Sequence, residues 1–231
     1  MVNLTQEEFD NKKSLKVIFP MFTKINGDEL TPVNIYYKLK GKYKFLLESA
    51  SSSKEDSRYS FMGSNPYMII SSRGENVTIT KENKVKNKTG KILDFAQAHL
   101  LKQYDMNDLD LPFIGGAIGY IGYDVIRQYE KLPDNNPDEL DLPETCLLFY
   151  KEFICFDHFK NTLMLIHNVF PEKDEDYNTV LNKLNIIKAM VSCENVHHKL
   201  IENSKNKQFI SNYKKEDFCK RSEEHTSELQ S

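Results

Sequence analysis

The sequence predicts an α+β fold rich in antiparallel sheet, on two observations. Between residues 44 and 80, short apolar or β-branched runs are separated by Ser-rich, Asn-Pro and Arg-Gly turns, a pattern typical of antiparallel meanders. Such meanders and hairpins outnumber any β-α-β alternation along the chain, and a parallel sheet would need that alternation. Helical spacing of apolar residues elsewhere supplies the α part of the fold.

The first elements follow from capping and proline signals. Thr5 and Glu8 match the capping-box pattern, so a short helix is predicted to begin at Thr5. A strand is predicted at 17–19 and is expected to stop at Pro20. Thr31 followed by Pro32 is an N-cap with proline at the first helical position, which predicts a second helix ending near residue 41.

The remaining elements are predicted from the period of the apolar residues. Amphipathic helices are expected at 92–104 and 176–191, where apolar side chains recur at helical spacing. Two long paired strands are expected at 145–157 and 162–169. The β-rich stretch is expected to contain four short strands, at 44–50, 58–63, 67–72 and 76–80.

Composition and charge exclude several classes of protein. The formal net charge of the 231 residues is −3, which gives no electrostatic reason to expect nucleic acid or an anionic membrane as a partner. The four cysteines form no C-x-x-C pair, and free thiols fit a reducing cytoplasm. Neither a signal peptide nor an apolar run of bilayer-spanning length is recognised, so a cytoplasmic location is expected.

One group of polar residues could bind a free amino acid. Glu48 could accept hydrogen bonds from an ammonium group, Ser49 offers a hydroxyl, and Arg58 could hold a carboxylate in its planar fork. From spacing alone the competing interpretation is a surface Glu, a loop Ser and an edge Arg, because such triplets arise by chance.

A glycine-punctuated apolar run at 113–124, FIGGAIGYIGYD, is the other conspicuous motif. It lacks the spacing of a dinucleotide fingerprint and the lysine of a P-loop, so close backbone packing within a sheet is favoured over phosphate binding. No motif of a nucleophilic or zinc enzyme occurs either. The residues alone therefore predict neither a catalytic site nor a metal site.

Several segments, in order, resemble anthranilate synthase component I, the chorismate-using large subunit. The resemblance covers essentially all of residues 1–220, and the combination at this spacing is specific, whereas each segment alone would be weak. The segments are FLLES at 45–49, SRYSFMGSNP at 57–66, FIGGAIGYIGYDVIR at 113–127, DLP at 141–143 with FDH at 156–158, and SNYKKEDFCK at 211–220.

The resemblance implies a sandwich-like β core flanked by helices and a role for that region in tryptophan feedback. Glu48 and Ser49 match the family's tryptophan-binding segment, and Arg58 is expected to border the same pocket. The family's chorismate and Mg²⁺ residues are expected beyond the 211–220 segment, so no cofactor is expected in this chain. L-tryptophan and a glutamine amidotransferase subunit are the expected partners of the full-length protein.

The composition becomes polar after residue 192, and this shift together with the resemblance predicts the domain organisation. Residues 1–193 are expected to form the tryptophan-sensing domain, 194–212 a linker, and 213–220 the start of a chorismate-binding domain that is otherwise absent. The segment 221–231, RSEEHTSELQS, can be encoded by a common sequencing adapter and is interpreted as foreign. Two alternatives stay open: a portion of aminodeoxychorismate synthase component I in folate synthesis, or a free-standing amino-acid-binding module.

Overall fold

The fold is that of a computed structural model, which describes residues 2–48, 58–100, 104–105, 109–133, 138, 140–173, 175–193 and 211–228. The chain divides into two compact units, Met1–Val196 and His197–Ser231. In the second unit, one helix, α5 (Lys215–Glu228), is described. The expected linker at 194–212 lies mostly outside the described residues.

In the residues described for the larger unit, there are ten strands and four α-helices. The helices are α1 (Gln6–Ser14), α2 (Pro32–Lys38), α3 (Ile92–Leu100) and α4 (Tyr177–Ser192), and a 3₁₀ helix covers Tyr123–Gln128. The strands are β1 (Phe19–Asn26), β2 (Phe45–Glu48), β3 (Tyr59–Gly63), β4 (Met68–Arg73), β5 (Asn76–Lys81), β6 (Lys84–Thr89), β7 (Ala117–Ile121), β8 (Thr145–Phe149), β9 (Glu152–Asp157) and β10 (Thr162–Val169).

The strands form two five-stranded antiparallel sheets, which confirms the predicted α+β class. The first sheet has the order β1-β10-β9-β3-β2, and the second has the order β6-β5-β4-β8-β7. One core cluster, which includes Phe61, Phe153 and Ile166 of the first sheet, also packs against Ile118 and Leu148 of the second. The two sheets therefore share a core, as in a sandwich.

Helices cover the outer faces of both sheets. Phe9 of α1, Ile35 of α2 and Leu184 of α4 pack on the first sheet in a separate core cluster. Ile92 of α3 and Val125 of the 3₁₀ helix close the core on the second sheet. In the described chain, no helix is long and apolar enough to cross a bilayer.

Local signals placed the helix starts correctly. Thr5 caps α1 in a complete capping box, because its hydroxyl accepts from the backbone N–H of Glu8 and the Glu8 carboxylate accepts from the backbone N–H of Thr5. Thr31 caps α2 in front of Pro32, and Asp176 caps α4. α3 is described as far as Leu100, and Tyr104, the predicted last residue of this helix, instead forms an isolated β-bridge with Ile18.

The strand predictions needed three corrections. Pro20 does not stop the first strand but lies inside β1, which runs along an edge of its sheet, where a missing N–H is tolerated. The single strand expected at 145–157 is broken at Tyr150 and Lys151 into β8 and β9, which belong to different sheets. β6 was not predicted, because its charged sequence KVKNKT lacks the apolar alternation that identifies a strand.

The glycine run packs a strand closely, as predicted. It forms β7, and a Cβ placed on Gly119 would lie 1.9 Å from the carbonyl oxygen of Cys146 on β8. A Cβ on Gly122 would lie 2.7 Å from the carbonyl oxygen of Glu144. Glycine is thus needed at both positions, because a side chain would keep the two backbones from lying this close.

Candidate functional site

Glu48 lies at the end of β2, the edge strand of the first sheet, and its side chain is exposed. Because side chains alternate along a strand, Glu48 lies on the same face as Leu46, which packs against the helix-covered core of that sheet. The residue directly opposite on β3 is Ser60. Ser49, the second predicted tryptophan ligand, lies outside the described residues.

Ser60 and His158 form a polar pair beside Glu48. The Ser60 hydroxyl is buried, and its Oγ lies 2.7 Å from Nε2 of His158. The His158 ring lies against Phe156, with 4.8 Å between the ring centroids. His158 was not predicted to belong to the site, because it lies 98 positions from Ser60 and only the pairing of β3 with β9 brings the two residues together.

Arg58 forms a two-point ion pair with Asp157. Its Nε and Nη2 donate to the two carboxylate oxygens at 3.2 and 2.8 Å, and the Asp157 side chain is only 4% exposed. The same carboxylate accepts the backbone N–H groups of Phe159 and Lys160. Asp157 therefore holds both Arg58 and the turn between β9 and β10.

These bonds set the ionisation of the pair. Burial raises the pKa of Asp157, but hydrogen bonds from Arg58 and from the backbone of Lys160 and Phe159 outweigh that effect and leave the pKa below its ordinary value. The bond to Asp157 is the largest cause of a raised pKa at Arg58. Both side chains are thus charged near neutral pH.

Arg58 also borders a cavity of about 410 Å³ on the face of the first sheet that points toward the second. The Arg58 guanidinium lies over the ring of Tyr59, 4.8 Å from its centroid. Glu48 is not among the described residues that line this cavity. The structure therefore brings Arg58 to Asp157 and Glu48 to Ser60, and the assignment of Glu48, Ser49 and Arg58 to one tryptophan pocket stays a prediction.

The side chains that could bind a metal ion do not cluster in the described part of the chain. Within those ranges, no group of three or more His, Cys, Asp and Glu side chains could hold a metal ion.

Comparison with known proteins identifies the family. Residues 42–231 match the family described as chorismate binding enzyme. The chain is 28% identical over 214 residues to anthranilate synthase component 1 of Acetivibrio thermocellus, covering 88% of this chain and 43% of that protein. It is 30% identical over 199 residues to the same component of Lactococcus lactis, covering 84% and 42%.

A solved structure agrees with these relatives. Anthranilate synthase component I from Streptococcus pneumoniae superimposes with a TM-score of 0.53 at 28% identity, covering 74% of this chain and 36% of that chain. The chain thus spans less than half the length of each of these three relatives.

The family match bears on where the chorismate-binding region begins. The sequence was expected to stop before that region except for residues 213–220, but the match already begins at residue 42 and includes the segment 221–231. The expected boundary is therefore not supported. It was placed at residue 193 because the composition becomes polar after residue 192. The family match also includes the β-rich region that precedes this shift. The chain belongs to the chorismate binding enzyme family.

Proposed function

We propose that this chain is a portion of an anthranilate synthase component I. The observation that carries the proposal is the agreement of the relatives described above, which share this name and align over most of the chain. The complete protein would convert chorismate and ammonia to anthranilate and pyruvate, with release of water and with Mg²⁺ bound outside the residues described for this chain. A glutamine amidotransferase subunit would supply the ammonia.

The proposed role of this chain within that protein is tryptophan feedback inhibition. Glu48, Ser49 and Arg58 would bind the polar head of tryptophan, and binding would bias the enzyme toward a low-activity state. Such a coupling between two sites is typically worth about 1–3 kcal/mol. The exposed carboxylate of Glu48 at a strand end supports the proposal, since it is accessible to an ammonium group.

The function is tested on the full-length product of the gene. Incubation with chorismate, an ammonium salt and Mg²⁺ should give anthranilate, which is followed by its fluorescence and identified by mass spectrometry. Formation of aminodeoxychorismate instead would assign the protein to the folate pathway. A genuine stop codon directly after codon 220 of the genomic sequence would favour a free-standing amino-acid-binding module.

The 231-residue chain by itself is expected to be inactive in that assay, because its sequence contains no recognised catalytic residue. Turnover above that of a boiled sample would contradict this expectation.

Feedback is tested separately with Ser49→Ala in the full-length enzyme. Loss of one hydrogen bond to a charged ligand group costs about 1.5–3 kcal/mol, so the tryptophan concentration for half-inhibition should rise roughly ten- to hundredfold. Turnover without tryptophan should barely change. Identical inhibition curves for the variant and the wild type would remove Ser49 from the proposed site.

A further inference from the structure

A second cavity lies beside the β5–β6 hairpin of the second sheet. Its volume of about 400 Å³ falls within the roughly 300–1,000 Å³ typical of small-molecule pockets. Its lining includes Met68 of β4, Ile79 of β5 and His99 in the last turn of α3. Met68 is a buried member of the core between this sheet and α3, and Ile79 packs against that core. These two side chains form an apolar floor on which an apolar group could lie.

Lysines stand on the same face of the sheet as this apolar floor. Lys84, Lys86 and Lys88 occupy alternate positions of β6, so they share one face. Lys84 is directly opposite Lys81 of β5, and Lys86 is directly opposite Ile79. Directly opposite residues of an antiparallel pair lie on the same face. As a result, Lys81, Lys84 and Lys86 all line the cavity.

The positive charge at this cavity is not neutralised within the described chain. No described ion pair includes Lys81, Lys84 or Lys86. Glu82, which carries the one carboxylate among the described residues that line the cavity, already pairs with a lysine outside it. Residues 76–91 contain five lysines and one glutamate, whereas the whole chain has a formal net charge of −3. The excess of positive charge is therefore a local feature of this hairpin.

Protection of a sheet edge does not account for this arrangement. β6 is an edge strand, and lysines on an edge strand discourage pairing with another chain. Lysines on either face of the strand would serve that purpose. The other face of β6 carries Val85, Asn87 and Thr89, none of which is charged. The lysines are thus concentrated on the face that borders the cavity.

We propose that this cavity binds a small phosphate monoester with an apolar body, its phosphate group on Lys81, Lys84 and Lys86. The apolar body would lie on Met68 and Ile79. A phosphate monoester carries about −1.5 to −2 charges at neutral pH and offers three acceptor oxygens, so it suits a group of ammonium ions better than a single carboxylate does. The inference goes beyond the proposed function, because it uses no residue assigned to tryptophan and no chemistry of chorismate.

The test is a binding titration of the 231-residue chain with phenyl phosphate, followed by isothermal calorimetry at constant ionic strength. Two other anions each remove one feature: inorganic phosphate lacks the apolar ring, and benzoate keeps the ring but carries only one negative charge. Phenyl phosphate should bind saturably, and each of the other two should bind roughly tenfold more weakly or worse, because an apolar or a charged contact is lost. No saturable binding of phenyl phosphate, or equal affinity for all three anions, would overturn the proposal.

A pair of double variants tests the lysines. Lys84→Met/Lys86→Met should lose at least tenfold in affinity for phenyl phosphate. Lys40→Met/Lys88→Met is the control, since it removes the same charge from two exposed lysines that are not among the described residues lining the cavity. Its affinity should stay within about twofold of the wild type, because exposed charges at a distance are screened by salt. Equal losses in the two double variants would show attraction by net charge alone and would overturn the proposal.

Ile79→Thr tests the apolar floor. The variant should bind phenyl phosphate about three- to fivefold more weakly, because apolar contact with the ring is lost, and inorganic phosphate as well as the wild type does. This difference between the ligands cannot come from unfolding, which would weaken both together. Unchanged affinity for phenyl phosphate, or an equal loss for both ligands, would contradict the assignment of the apolar body to this floor and overturn the proposal.

Discussion

Asp157 on β9 fixes the guanidinium of Arg58 through both of its carboxylate oxygens, at 3.2 Å from Nε and 2.8 Å from Nη2. Arg58 precedes β3, and its neighbour Tyr59 is opposite Asp157 in the sheet. The ion pair thus joins two adjacent strands at the end of the first sheet where the candidate residues lie. A ligand carboxylate could bind the same edge of the guanidinium only if the ion pair between Arg58 and Asp157 were broken.

We expect Asp157→Asn to lower the free energy of unfolding by about 1.5–3 kcal/mol, because the amide removes the charge and turns one acceptor into a donor facing Arg58. Urea denaturation of the variant and the wild type measures the change. Asp110→Asn is the matched control: it replaces an exposed acid of the same cavity, and its stability should stay within about 0.5 kcal/mol of the wild type. Equal stabilities for all three proteins would mean that the ion pair does not stabilise the fold.

A second prediction concerns the close approach of β7 and β8. Gly119→Ala should lower stability by about 3 kcal/mol or prevent folding, because the new Cβ would lie 1.9 Å from the carbonyl oxygen of Cys146 and force the strands apart. The melting temperature and the folded yield are the measurements. Gly74→Asn is the control, since a Cβ there meets nothing within 4 Å and Asn tolerates the positive φ of +51°. A Gly119→Ala protein as stable as this control would refute the packing argument.

Lys38 is the basis of the third prediction. It is a buried lysine of α2, and its Nζ donates to the carbonyl oxygens of Val191 and Cys193 at 2.9 and 2.8 Å. The last carbonyls of a helix lack partners within the helix, so Lys38 caps the C-terminus of α4. Lys38→Met keeps the apolar stem but leaves these carbonyls unpaired, and we expect a loss of about 1–3 kcal/mol in urea denaturation.

The exposed neighbour Lys40 supplies the control for that measurement. Lys40→Met should change stability by less than about 0.5 kcal/mol, as is usual for a surface substitution. If both variants behave alike, the cap does not contribute to stability.

A structural feature could be predicted from the sequence when the residues that form it lie close together along the chain. The helix starts at Thr5 and Thr31 were predictable because a cap and its partner are three residues apart, and the start of α4 was predictable from the helical spacing of its apolar residues. The division of 145–157 between two sheets was not predictable, because both halves are apolar and nothing local indicates which sheet each half joins.

In the candidate site, too, some residues could be selected from the local sequence, but their distant partners could not. Glu48 and Arg58 could be selected as polar residues in a β-rich stretch, and the resemblance gave them a role. The partners Asp157 and His158 lie 99 and 98 positions from Arg58 and Ser60, and only the antiparallel pairing of β3 with β9 brings them together. Strand register depends on the whole sheet, so no local pattern contains it.

A buried ionic cluster, defined by His167, Glu152, Glu175, Lys151 and Lys183, leads to the last prediction. His167 is fully buried, with Nδ1 at 3.1 Å from Glu152 and Nε2 at 3.5 Å from Glu175. Glu175 is also 2.6 Å from the ammonium of Lys151 and 2.6 Å from that of Lys183 on α4. The cluster therefore ties α4 to β10 and to the start of β9.

Glu175 makes the stability of this cluster depend on acid pH. Burial raises its pKa, but the polar contacts from His167, Lys151 and Lys183 outweigh burial and hold the pKa well below the ordinary value of 4.5. Below pH 4.5, Glu175 becomes protonated in the unfolded chain but stays ionised in the folded chain. Stability from Glu175 is therefore fully present above about pH 4.5 and is lost as the pH falls toward the folded-state pKa.

We expect Glu175→Gln to be less stable than the wild type by about 3 kcal/mol at pH 7, because it leaves a buried His and two lysines without their shared carboxylate. The difference should shrink as the pH is lowered below about 4.5, since the wild type then loses what the variant has already lost. Urea denaturation at a series of pH values from neutral to strongly acidic measures both effects. The exposed Glu82, which pairs with Lys173, supplies the control, and Glu82→Gln should keep the acid dependence of the wild type. If the stability difference between Glu175→Gln and the wild type is instead the same at every pH, the proton taken up on acid unfolding binds to another group. Glu175 would then contribute to stability through packing and not through its charge.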